Sequence, residues 1–180
     1  MIKACFLDRD GVINVDKNYV YKIEDFEFND GIFELLEFLK EKGYVFIVVT
    51  NQSGIARGLY TKEDFSKLSN FMTEELKKRG IDILKIYHCP HHPDENCECR
   101  KPRPKMILDA KEEFDIDLEN SIMIGDRKTD IQAANNAKIG TSIFIGKQQE
   151  PLATISKRSV LELLKFFKND RGELFGKKKV

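Results

Sequence analysis

The sequence predicts a three-layer, Rossmann-like α/β fold with a mainly parallel sheet. Three observations predict it. Apolar runs of strand length alternate with amphipathic segments of helix length. One run, YVFIVVT (44–50), is almost continuously apolar, β-branched and aromatic, as for a strand covered on both faces. Polar or acidic residues follow directly on several of these runs, at the strand ends where ligands bind in such folds.

Each element has its own signal. KACFL (3–7) reads as the first strand. DGIFELLEFLKEKG (30–43) reads as a helix, with Asp30 as its cap, Ile32, Leu35, Leu36 and Leu39 on one face, and Gly43 at its end. YVFIVVT is the second strand. TKEDFSKLSNFMTEELKKRG (61–80) is a second helix: Thr61 and Asp64 make a capping-box start, Phe65, Leu68, Met72 and Leu76 a stripe, and Gly80 a stop. KIYHC (85–89) is a short strand. Pro104 suits the first turn of a helix over 104–114. SIMIGD (121–126) and TSIFIG (141–146) are strands, separated by the helix KTDIQAANNA (128–137). SVLELLKFFKN (159–169) is the last helix, and the tail GKKKV is expected to be a frayed, solvated end. No repeat, low-complexity tract or dividing linker interrupts the 180 residues, so one domain spanning 1–180 is expected.

Composition excludes several classes of function. Lysine plus arginine and aspartate plus glutamate number 30 each, which leaves no electrostatic footprint for nucleic acid. With 41% hydrophobic and 33% charged residues the chain is not of the disordered type. No apolar run approaches the roughly 20 residues of a membrane span. MIKACFLD leads directly into a strand without a signal-peptide pattern, so the cytoplasm is expected.

Two groups of residues carry chemistry. Asp8 and Asp10 close the first strand in ACFLDRDGVINVD, and side chains at i and i+2 of a strand point the same way. The topology brings Thr50, Lys101, Asp126 and Asp130 to the same edge of the sheet. Four carboxylates at one place need a cation, and a hard one with oxygen ligands such as Mg²⁺ fits them. Lys101 and the Thr50 hydroxyl are placed to bind oxygens of a phosphoryl group. The second group is the stretch CPHHPDENCECR. Cys89, His91, Cys97 and Cys99 offer three thiolates and one imidazole, a closed tetrahedral set for structural Zn²⁺. His92 is an alternative to His91, and His88 is a strand-end residue. Cys5 reads as a small buried hydrophobe. Arg57 and Arg100 are candidates for a second phosphate, since arginine binds phosphate as a fork, or are solvated surface residues.

The ordered motifs FLDRDGVIN, VVTNQSGIARG, CECRKP and IGDRKTD resemble those of the haloacid dehalogenase-type phosphatases, over about residues 3–146. The resemblance implies that Asp8 is a nucleophile forming an aspartyl-phosphate. It implies that Asp10 protonates the leaving oxygen and then activates water, and that Thr50 and Lys101 bind the transferring group. It further implies Mg²⁺ held by the Asp8 and Asp126 carboxylates and the Asp10 backbone carbonyl, with Asp130 in support. The substrate site implied is Asp16, Lys17, Asn18, Tyr19, Thr50, Asn51, Gln52, Ser53, Arg100, Lys101 and Arg127, with Arg57 beside it.

The zinc loop (88–101) is similar to that of a branch containing the heptose bisphosphate 7-phosphatases and the histidinol-phosphate phosphatases. NQSGIARG and VDKNYVYKIEDFEF resemble the former, and the spacer HPDEN and GDRKTDIQ the latter. The activity implied is Mg²⁺-dependent release of the 7-phosphate of a heptose 1,7-bisphosphate, on the way to lipopolysaccharide precursors. The alternative is histidinol-phosphate hydrolysis, in histidine biosynthesis. The expected partner is a small phosphorylated sugar, with no nucleic acid, no membrane and a monomeric state. Short inserts at 14–29 and 52–60 leave no room for a large cap domain, so loops must select the substrate.

Overall fold

The structure is a computed structural model that describes residues 1–169 and Leu174. The expected frayed tail, GKKKV, lies outside the described residues. Six strands pair in one parallel sheet: β1 (Ala4–Leu7), β2 (Val45–Asn51), β3 (Ile83–Cys89), β4 (Ile122–Gly125), β5 (Thr141–Ile145) and β6 (Ile155–Lys157). Their order is β3-β2-β1-β4-β5-β6. Among the described residues, α1 (Ile32–Glu41), α2 (Lys62–Lys77), α3 (Lys105–Phe114) and α4 (Lys128–Asn136) connect successive strands from β1 to β5, and α5 (Val160–Lys168) follows β6.

The period-2 geometry of β1 and β2 builds the three layers. Cys5, Leu7, Phe46 and Val48 face Leu36 and Leu39 of α1, Leu68 and Met72 of α2, and Leu163 and Phe167 of α5. The alternate residues Ala4, Phe6, Ile47 and Val49 join Met106 and Ala110 of α3 and Ala133 and Ala134 of α4 in a second core. Both faces of the sheet are therefore covered, as the apolar run of β2 requires. The order of connection reverses between β1 and β4, and the crevice at the carboxyl ends of those strands is where such sheets bind ligands.

The expected elements form with small shifts at their ends. The capping box at Thr61 is present: its Oγ1 accepts the Asp64 N–H at 3.0 Å, and Asp64 accepts the Thr61 N–H at 2.9 Å. Three expectations need correction. Asp30 does not cap α1, because the cap position is Gly31, at φ +82°, without a side-chain cap, and the Ile32 N–H is accepted by the Asn29 carbonyl at 3.1 Å. β6 is an additional strand of three half-buried residues, too short to show a pattern of its own. Pro104 sits at the cap of α3 rather than inside it. Between β1 and α1 the only regular element is a short helical turn, Ile23–Asp25, so no large cap covers the strand ends. Among the described residues, no helix is long and apolar enough to cross a membrane.

Candidate active site

A cleft of about 500 Å³ opens over the carboxyl ends of β1, β2 and the β3–α3 loop. Asp8 follows β1 and is 7% exposed. Its N–H donates to the Ile124 carbonyl of β4 at 3.1 Å, which fixes the strand end. The Lys101 ammonium lies 3.3 Å from Asp8 Oδ1 and 2.6 Å from Asp130 Oδ1, and donates to the Val49 carbonyl at 2.7 Å. Asn51 clamps the backbone of Lys101 with both ends of its amide, accepting from its N–H at 3.1 Å and donating to its carbonyl at 3.3 Å. Asp130, at the start of α4, accepts the N–H groups of Asp126 and Arg127 on Oδ2 at 3.1 and 3.0 Å.

Charge at this place is unbalanced. Carboxylate oxygens of Asp8, Asp126 and Asp130 all lie within 4.8 Å of one another. Burial pushes the Asp8 carboxyl well above the usual range, the Asp130 charge adds to this, and Lys101 opposes it. Burial and Asp130 push Asp126 up to about 6. Burial works against the charge on Lys101, but Asp130 and Asp8 more than offset it, so the ammonium is held charged. Lys101 pairs with Asp8 and Asp130, while Arg127, itself paired with Asp16, offsets the rise at Asp126 only in part. Asp126 Oδ1 is buried with no hydrogen-bond partner among the described residues. An unfilled carboxylate oxygen in a cluster with excess negative charge fits a hard cation such as Mg²⁺. Gly11, at φ +90°, is required here: a Cβ on it would lie 2.0 Å from Asp126 Oδ2.

The other expected residues divide by position. Asp10, Asp16, Asn18, Tyr19, Asn51, Gln52, Ser53, Arg57, Arg100 and Arg127 line the cleft with Asp8, Lys101 and Asp130. Asp16 accepts from Arg127 at 3.4 Å, which joins the loop after β1 to the start of α4. Arg57 donates to Ser53 Oγ at 3.3 Å, while Arg100 Nη1 is buried without a partner among the described residues. Three residues lie off the lining. Thr50 is 1% exposed, and its hydroxyl accepts from Gln52. Lys17 turns outward to an ion pair with Glu27 at 3.0 Å. Asp126 faces a second cavity behind Gly11, of about 510 Å³.

Besides Lys128 and Thr129, which line the cleft at the start of α4, three residues at the site were not expected. Arg9 is 1% exposed and donates from Nη2 to the Val20 carbonyl at 2.7 Å and to Asp10 Oδ1 at 3.1 Å. Asn14 donates to the same oxygen at 3.0 Å. Tyr60 donates to Gln52 Oε1. The arginine between two aspartates was visible in the sequence as a signal, whereas Tyr60 lies in no motif.

The Cys/His group gathers as its spacing predicts. Cys89 Sγ stands 3.6 Å from Cys97 Sγ, Cys97 Sγ 3.8 Å from Cys99 Sγ, and His91 Nδ1 3.5 and 3.2 Å from Cys89 and Cys99. Thiolates about 2.3 Å from a tetrahedral zinc stand about 3.8 Å apart, so the set fits Zn²⁺. His91, not His92, belongs to it: His92 Nδ1 accepts the Asp94 N–H at 3.1 Å instead. Burial pushes the Cys89 thiol up. Burial also acts upward on Cys97, but the Arg100 N–H and the neighbouring thiols bring it down to about 7.

The model of the family described as HAD-hydrolase-like matches residues 98–149. A D-glycero-alpha-D-manno-heptose-1,7-bisphosphate 7-phosphatase from Campylobacter jejuni is 54% identical over 92% of this chain and 96% of its own length. A D-glycero-beta-D-manno-heptose-1,7-bisphosphate 7-phosphatase from Helicobacter pylori is 52% identical over 84% of this chain and 87% of its own. The crystal structure of D,D-heptose 1,7-bisphosphate phosphatase from B. bronchiseptica, complexed with magnesium and phosphate, superposes with a TM-score of 0.82 at 28% identity, covering 93% of this chain and 98% of that one. These relatives give no support to the histidinol-phosphate alternative. With the carboxylate–lysine cluster at the reversal point of a parallel sheet, the chain belongs to the heptose-1,7-bisphosphate 7-phosphatase family of HAD-like hydrolases.

Proposed function

We propose that this protein is a phosphoric monoester hydrolase that removes the 7-phosphate of D-glycero-D-manno-heptose 1,7-bisphosphate and leaves the 1-phosphate in place. The reaction would supply heptose precursors of surface polysaccharide. The observation that carries the reading is Asp8: a buried carboxylate at a strand end, held on one oxygen by Lys101, with a second carboxylate two residues on.

An Asp8 carboxylate oxygen attacks phosphorus as the bond to the sugar oxygen breaks, giving an aspartyl-phosphate. Asp10 gives its proton to the departing sugar oxygen, then takes one from the water that hydrolyses the intermediate, as reversal of roles demands. Lys101 and the Thr50 hydroxyl bind the transferring oxygens. Asp8, Asp126 and the Asp10 carbonyl would hold Mg²⁺, which would supply positive charge to those oxygens. Asp130 positions Lys101 and the backbone of Asp126. Arg57 and Arg100 take the unreacting 1-phosphate, whose binding orients the 7-phosphate at Asp8. Asp16, Asn18, Tyr19, Asn51, Gln52, Ser53 and Arg127 surround the sugar, while Lys17 stays at its edge, paired with Glu27.

Zinc held by Cys89, His91, Cys97 and Cys99 is structural, since all four positions are filled by protein. Unpaired cysteines in such a set suit a reducing compartment, which supports a cytoplasmic place for the protein. The single sheet supports reading residues 1–180 as one domain. The test is kcat/KM for both anomers of the heptose bisphosphate and for histidinol phosphate, with phosphorus NMR of the product. One heptose anomer should give the highest value, with the 1-phosphate retained. A higher value for histidinol phosphate overturns the substrate assignment.

A further inference from the structure

Tyr60 stands outside every motif in the sequence, yet one residue separates it from the reacting end of the cleft. It is 5% exposed. Its hydroxyl donates to Gln52 Oε1, and the other end of that amide donates twice from Nε2, to Asp10 Oδ2 at 3.1 Å and to Thr50 Oγ1 at 2.9 Å. The Tyr60 ring stacks on Tyr21, with centroids 5.5 Å apart and planes 11° apart. Tyr21 follows the loop that carries Asp16, Asn18 and Tyr19.

The two ends of an amide are alike in size and opposite in hydrogen bonding, so the partner at one end decides what the other end presents. Burial pushes the Tyr60 hydroxyl up to about 12, so it keeps its proton and has it to donate. Gln52 Oε1 accepts it, and Nε2 must then face Asp10 and Thr50. A reversed amide would set Oε1 against the Asp10 carboxylate, acceptor to acceptor. Arg9 Nη2 lies 3.1 Å from both Asp10 oxygens and Asn14 serves Oδ1, so Gln52 is the neutral donor on Oδ2, beside the guanidinium. A donor there strengthens its bond as Asp10 becomes a full carboxylate. That is the change Asp10 undergoes when its proton passes to the leaving oxygen, so the interaction favours the transition state over the ground state.

We propose that Tyr60 is a positioning residue of this reaction: through Gln52 it aims a hydrogen-bond donor at Asp10 and Thr50, and through Tyr21 it ties that alignment to the substrate loop. The inference rests on the reading of Asp10 as the acid and base. Tyr60→Phe removes the hydroxyl and keeps the ring stack. Its kcat/KM is to be measured on a primary sugar phosphate that the wild-type protein hydrolyses and on p-nitrophenyl phosphate, whose leaving group departs without a proton. The expected result is a loss of about ten-fold or more on the sugar phosphate and under about two-fold on the aryl ester. Gln52→Leu is expected to lose more on the sugar phosphate than on the aryl ester, and it carries the test should Tyr60→Phe fold poorly. Equal losses on both esters, which a merely structural role produces, or no loss on either, overturn the proposal. Asp10→Asn run alongside separates the two readings. A leaving-group split in Asp10→Asn with none in Tyr60→Phe removes the role of Tyr60 alone, while no split in Asp10→Asn removes the acid assignment and the role of Tyr60 with it.

Discussion

Asp8 is buried beside Asp130 and shares Lys101 with it. Its carboxyl is pushed well above the usual range, chiefly by burial. A neutral amide in its place relieves that repulsion and cannot attack phosphorus. Asp8→Asn should therefore lose about four orders of magnitude in turnover. In magnesium-free buffer it should melt no lower than the wild type. A rate within ten-fold of wild type, in a preparation free of it, removes Asp8 from the nucleophile's role. The places of Asp8, Asp10 and Asp126 were legible in the sequence because each lies just beyond a strand, where a parallel sheet binds ligands, and that of Lys101 because the loop after β3 leads to it. Tyr60 was not, because it lies in no motif itself, and its hydrogen bond to Gln52 and its stack on Tyr21 exist only once the chain is folded. Nor did the sequence separate Lys17 from its neighbours Asp16 and Asn18, since a turn decides which side chains face the cleft and which meet Glu27.

Between β3 and α3 the chain has one short helical turn, Pro93–Glu95, and otherwise no regular structure. The Cys/His tetrad gathers within this loop, Arg103 donates to the carbonyls of Asn96 and Cys97, and Ala56 and Asn136 donate to the carbonyls of Pro90 and Pro102. The same loop delivers Arg100 and Lys101 to the cleft. Zinc binding in small finger peptides is worth about 10–16 kcal/mol, ample to order a polar loop that has no core of its own. Cys97→Ser should thus lose most of its zinc by elemental analysis and melt at a lower temperature. Activity should fall because Lys101 is displaced. Full zinc content in that variant would overturn the ligand set. The elements around the loop were readable where burial is continuous or a cap is local, as in β2 and the Thr61 end of α2. Asp30 misled because a left-handed Gly31 and the Asn29 carbonyl start α1, and backbone geometry of that kind leaves no composition signal. β6 was missed because three half-buried residues satisfy the edge of β5 without an alternation of their own.

The whole molecule converges on one point, the reversal between β1 and β4, where the sheet order forces Asp8 and Asp126 together. Packing on both faces of the sheet holds them there, so the fold maintains a cluster that its own charges oppose. The consequence depends on pH with a definite sign. A carboxyl whose folded pKa lies above its ordinary value, about 3.9 for aspartate, contributes stability that is fully present below that ordinary value. The contribution is lost as pH rises through the folded value, about 6 for Asp126. At neutral pH the magnesium-free protein therefore carries this cluster as a penalty, and a divalent cation bound to the ionised carboxylates relieves it. Binding to the native state alone stabilises by about 2.7 kcal/mol at one hundred times the dissociation constant. Below about pH 6 protons compete for the same oxygens. Zinc-loaded protein freed of magnesium should gain melting temperature on addition of Mg²⁺ at pH 7.5. The gain should shrink steadily as pH is lowered through 6 and be nearly absent at pH 5. In Asp126→Asn it should be small at every pH. A gain that stays constant from pH 5 to 8, or that survives intact in Asp126→Asn, would place the cation elsewhere than on this cluster.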